Sequence, residues 1–68
     1  MTDTKRLEAR RIWCGLDQDD LARGAGMSRA TYWRKLKGVT EFTAGEIQRI
    51  GQILMLGSDE LVEIFDLK

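Results

Sequence analysis

The chain contains no histidine, no proline and a single cysteine among its 68 residues. Without histidine a Ser/His/Asp or Cys/His nucleophilic set cannot be built, and one cysteine cannot make a His/Cys zinc site. Carboxylates alone can hold a hard cation, yet no Asp-x-Asp-x-Asp-Gly loop is present. Cys14 has no internal disulfide partner, which suits a reducing cytoplasm. The longest uninterrupted apolar run, Ile53-Leu54-Met55-Leu56, falls far short of the ~20 residues of a membrane span. Behind Thr2-Asp3-Thr4-Lys5-Arg6 there is no apolar stretch of the kind a secretory signal carries. No catalytic residue, metal, cofactor, small-molecule ligand or membrane is expected.

Net charge is missing as well, with 11 Lys+Arg set against 11 Asp+Glu. That zero is a cancellation. Residues 1–38 hold nine basic side chains and five acidic ones, a net of +4, whereas residues 39–68 hold two basic and six acidic, a net of −4. Such asymmetry points to an electrostatic face.

What is present reads as one all-α domain over residues 1–68. A chain of this size buries only about 60% of its unfolded surface and depends on compact packing of local elements. Seven glycines and the Ser/Thr/Asp caps are its punctuation. A first helix is predicted from Lys5 to Cys14, closed by Gly15, with Leu7, Arg10/Arg11 and Cys14 as its inward stripe. An arginine on that stripe reads as a guanidinium snorkelling at the core edge, or else as one held by a specific carboxylate. Trp13 lies off the stripe and is expected to cover the ends of other helices.

Asp17 caps a second helix from Gln18 to about Ala25, with Asp19 and Asp20 in its first turn. Gly24 inside it costs roughly 1 kcal/mol against alanine, so this helix depends on its packing. Gly26-Met27-Ser28 makes a tight turn, and Ser28 caps a third helix from Arg29 to Lys37, ended by Gly38. Thr43 with Glu46 forms a capping box for a fourth helix whose buried face is Ile47, Ile50 and Leu54, with Phe42 as its staple. Leu56-Gly57 breaks the chain. Ser58 caps a fifth helix through Phe65, with Leu61, Ile64 and Phe65 inward.

The second and third helices carry helix-turn-helix spacing over residues 17–38: Gln18, Ala22, Gly26, Met27, Tyr32 and Leu36. With Tyr32 and Leu36 inward, 100° per residue turns Ala30, Arg34 and Lys37 outward, flanked by Arg29 and Trp33. Four basic residues and no acid lie between Ser28 and Gly38. A helix about 13 Å long with such a face suits a major groove.

The run from Gln18 to Gly38, with Leu7, Arg11, Gly15 and Leu16 before it and Phe42-Thr43-Ala44-Gly45-Glu46-Ile47 after it, resembles the phage Cro and lambda-repressor-like helix-turn-helix family. The resemblance implies a compact five-helix domain and a cytoplasmic phage or prophage transcriptional regulator. It would repress by occupying a double-stranded DNA operator, as a homodimer at least on DNA. It also implies that Gln18 contacts phosphate, that Ser28, Arg29, Ala30 and Arg34 read bases, and that Lys37 and Thr40 contact phosphate. Arg29 and Arg34 can each make a bidentate contact to guanine, and Ala30 can meet a thymine methyl. Departures are visible. Lys35 stands where relatives have an aliphatic residue, and Leu36 stands where some carry a Glu that pairs with the arginine matching Arg11. Val39 and Glu41 occupy a loop that is often basic. For a dimer surface the apolar candidates are Trp13, Met55, Val62 and Phe65, all expected first as core. The competing reading of the basic helix is a helical protein-interaction module such as an antitoxin or adaptor.

Overall fold

A computed structural model describes residues 1–67, and Lys68, counted above in the acidic half, lies outside them. Five helices follow one another: α1 (Thr4–Trp13), α2 (Gln18–Gly24), α3 (Arg29–Leu36), α4 (Ala44–Ile53) and α5 (Ser58–Phe65). The all-α, five-helix architecture is the expected one. α2 packs on α3 and α4, while α5 packs on α1 and α4.

Caps place most of these boundaries. Asp17, Ser28 and Thr43 each accept a hydrogen bond from the backbone N–H three residues on, offsetting donors that a helix start leaves open. Thr43 and Glu46 make both halves of the capping box, at 3.2 Å and 2.8 Å. Two starts differ from expectation. α1 begins at Thr4, because Asp3 accepts from the Arg6 N–H at 3.1 Å. α5 takes Gly57, not Ser58, as its cap: Gly57 is extended and its N–H donates to Glu60 Oε1 at 3.1 Å, leaving Ser58 as the first helical residue.

The core draws on every helix: Leu7, Leu21, Ala22, Ala25, Tyr32, Ile50, Leu54, Ile64 and Phe65 are buried, with Met27 plugging the α2–α3 turn. Phe42, just before α4, stands edge-on to Tyr32 and Phe65 at centroid distances of 6.0 and 5.5 Å, a favoured aromatic geometry. Gly24 lies close to α4: a Cβ there would come within 2.7 Å of Ile53 Cδ1, the end of a side chain that would have to shift. Gly26 adopts φ +84°, the left-handed conformation that lets α3 turn back within three residues. The Met27 N–H then closes the turn on the Ala22 carbonyl at 2.9 Å.

Both arginines of the α1 stripe have specific partners. Arg10 donates to the Leu54 and Met55 carbonyls at 3.0 Å each and pairs with Glu60 at 3.4 Å, joining α1 to the end of α4 and the start of α5. Arg11 pairs with Glu8, described below. Trp13 does not cover helix ends. It is 72% exposed, with the Arg10 guanidinium 4.9 Å from its ring centroid, because its off-stripe position turns it away from every packed helix.

The chain break after α4 falls at Met55, which takes φ +55° without being glycine. A left-handed L-residue costs about 1–2 kcal/mol, partly recovered in the unfolded state because glycine there has more freedom to lose. Met55 is 67% exposed, so its side chain contributes little packing. Met55→Gly is therefore expected to raise the thermal midpoint by about 4 °C, as read by circular dichroism.

Candidate nucleic-acid interface

Most charges of this domain neutralise one another. Arg6 pairs with Glu63, Arg10 with Glu60, Arg11 with Glu8, Arg23 with Asp19 and Asp20, Lys35 with Glu46, and the N-terminal ammonium with Asp66. Arg49 instead donates to the Ala25 carbonyl at 2.9 Å, over the glycine turn. Besides Arg49, which meets only that carbonyl, the described cations with no carboxylate within ion-pair distance are Lys5, Arg29, Arg34 and Lys37. They border one surface. Gln18, Arg29, Ala30, Trp33 and Arg34 line a shallow hollow of about 480 Å³, and Lys5, Gln18, Trp33 and Lys37 line an adjoining one of about 310 Å³.

Of the four basic residues between Ser28 and Gly38, Arg29, Arg34 and Lys37 remain unpaired on the outer side of α3. Lys35 turns inward, its side chain 9% exposed, and its ammonium lies 2.5 Å from Glu46 Oε1. Its methylene stem occupies the place of an aliphatic residue, and Glu46 satisfies the charge. The Glu46 carboxylate also accepts from the Thr43 N–H. Burial raises its pKa, and the bonds from Lys35 and Thr43 outweigh that and hold it below the usual carboxylate value. A lowered folded-state pKa adds stability that is complete above the ordinary carboxylate range and is lost as pH falls through the folded value. Glu46→Gln is thus expected to cost about 1–2 kcal/mol at pH 7, with its urea midpoint converging on the unsubstituted domain as the pH is lowered from 5 to 3.

Within α3 a chain of hydroxyls leads from the cap to the outer face. The Ser28 hydroxyl accepts from the Thr31 N–H at 3.1 Å and donates to Thr31 Oγ1 at 2.9 Å, and Arg34 Nη2 donates to that same Oγ1 at 3.4 Å. Lys37 holds its ammonium 5.3 Å from the Trp33 ring centroid. Thr40 is exposed but stands apart from the Arg29–Arg34 hollow, in a groove it shares with Lys37 and Glu41.

Sequence reasoning missed the hub that locates these elements. The Glu8 carboxylate accepts from Arg11 Nε at 2.8 Å, Arg11 Nη2 at 3.1 Å, Gln18 Nε2 at 2.6 Å and the Tyr32 hydroxyl at 2.8 Å. One side chain of α1 thus fixes the start of α2 and the middle of α3, and it supplies the partner that Leu36 cannot. Burial raises the Glu8 pKa, but the hydrogen bonds from Arg11, Gln18 and Tyr32 prevail and hold it low. Burial and the bond to Glu8 push the Tyr32 phenol up. The Glu8–Arg11 spacing of three was the available signal. Lys5 was missed too, its place beside Gln18 and Lys37 being set by how α1 crosses α2 and α3.

Residues 5–64 match the family model described as a helix-turn-helix domain. The chain belongs to the helix-turn-helix domain family. No curated protein and no solved structure matches it. A helix-turn-helix domain is a DNA-binding fold, and α3 holds the position of the motif's second helix, which in such folds enters the groove. In this helix-turn-helix domain, among the described residues, no helix is long and apolar enough to cross a membrane.

Proposed function

We propose that this helix-turn-helix domain is a sequence-specific transcriptional regulator of Cro type that represses by occupying a double-stranded DNA operator, with α3 in the major groove. The observation that carries this reading is the segregation of charge: of the five described cations without a carboxylate partner, all but Arg49 surround Gln18 and Trp33 on one surface. Neutralised phosphates release counterions, so a surface of this kind attracts duplex DNA.

Roles follow from reach. Arg29 and Arg34 each take a guanine O6/N7 pair, and Ala30 approaches a thymine methyl. Ser28 fixes where α3 begins and keeps one lone pair for a base amino group. Gln18, steadied by Glu8, donates its remaining amide hydrogen to a phosphate, and Lys5, Lys37 and Thr40 hold phosphates on either side. The domain works in the cytoplasm as a homodimer on half-sites about 34 Å apart. Phe65 belongs to the core, whereas Trp13, Met55 and Val62 are exposed instead of buried; Arg10 bridges Trp13 and Met55, and all three are apolar contacts available to a second copy.

Selection of binding sites from random duplex DNA tests the proposal. Enrichment of a palindrome is the expected result, and a pool that stays random after repeated rounds overturns it.

A further inference from the structure

The hollow on α3 is lined in a way that phosphate binding does not require. Around its rim stand Arg29, Arg34 and the Gln18 amide, but Ala30 and Trp33 are apolar. Trp33 is 52% exposed, at the centre of the surface where four cations lack carboxylate partners. Lys37 covers part of the indole, and the remainder borders the hollow beside the Ala30 methyl, three residues back and on the same helix face.

An apolar protein partner does not complement four unpaired cations. Duplex DNA does, and its major groove presents a single apolar feature, the C5-methyl group of thymine. We infer that Ala30 and Trp33 together form a receptor for one thymine methyl, flanked by the guanine-directed Arg29 and Arg34, so that Trp33 is a specificity-determining residue. This rests on the reading of α3 as the major-groove helix. It goes beyond that reading by fixing a thymine among the bases of each half-site and by assigning its recognition to an aromatic side chain.

The test replaces each thymine of the selected operator in turn by deoxyuridine, which keeps base pairing and removes only the methyl. One position per half-site is expected to weaken binding by about fourfold for each methyl lost, with other positions unaffected. Trp33→Ala, checked for folding by its thermal transition, is expected to bind the thymine operator more weakly and to bind thymine and uracil versions equally. Should that variant not fold, the uracil scan with the unsubstituted domain decides alone. Indifference to uracil at every position overturns the inference, as does a thymine preference undiminished in Trp33→Ala. If selection enriches no sequence at all, the reading beneath it fails; a tight, sequence-specific operator that ignores uracil sinks the methyl receptor only.

Discussion

Replacing Glu8 by alanine is expected to cost about 2–4 kcal/mol, the largest loss of stability from any exposed or half-buried side chain of this domain. The substitution strands three groups at once. Arg11, whose side chain is 13% exposed, loses both bonds to its carboxylate and keeps the Leu16 carbonyl as its acceptor. The fully buried Tyr32 loses the acceptor of its hydroxyl, and Gln18 loses its tether. A chain of this length has a total stability of about 3–10 kcal/mol, so the midpoint should fall by more than about 10 °C. Tyr32→Phe removes one bond and should cost only about 1–1.5 kcal/mol. A double-mutant cycle between the two positions should reveal coupling, because they share the same carboxylate. Additive losses would mean that the hub does not act as a unit. The lowered Glu8 pKa adds an acid signature. Its contribution is complete above the ordinary carboxylate range and vanishes as pH falls through the folded value, so the deficit of Glu8→Ala should shrink below about pH 4.

On the DNA side, Arg34→Ala should lower affinity for a selected operator about 5–150-fold, the effect of deleting a bidentate contact to guanine. Arg34 is exposed, and among the described residues its side chain makes only the long bond to Thr31, so the thermal midpoint should stay put and the loss report recognition. The variant should also accept substitutions at one base pair that the unsubstituted domain rejects. Lys37→Ala is the contrasting case: all duplexes should weaken alike, with the slope of log K against log salt reduced by about 1. An Arg34→Ala domain that weakens on every sequence equally would reassign that guanidinium to phosphate.

Local signals were the legible ones. Asp17, Ser28 and Thr43 announced three helix starts because a cap acts within three residues of itself, and Gly26 announced the turn because its backbone conformation is a property of one residue. The outward face of α3 followed from helical periodicity, which places Ala30, Arg34 and Lys37 without knowledge of any neighbour. Lys35 escaped the same reasoning. Its position, aliphatic in relatives, gave no partner for the charge, and Glu46, eleven residues on, is what satisfies it at the core edge. Glu8 shows the limit most clearly, since half of its bonds are to residues of α2 and α3 whose approach depends on the whole fold. Trp13 failed for the opposite reason: its size suggested burial, but no helix passes over that face of α1.

Zero net charge also acquires a meaning. Four of the cations without carboxylate partners gather around Gln18 and Trp33, so on the proposed function non-specific attraction to DNA rests on a few cations and base contacts are expected to carry much of the affinity. Titrating the domain with its selected operator and with a scrambled duplex of the same composition, at about 0.15 M salt, measures that balance directly. Binding to the operator should be at least about 10³-fold tighter. Equal affinity for the two duplexes would contradict sequence-specific recognition by α3.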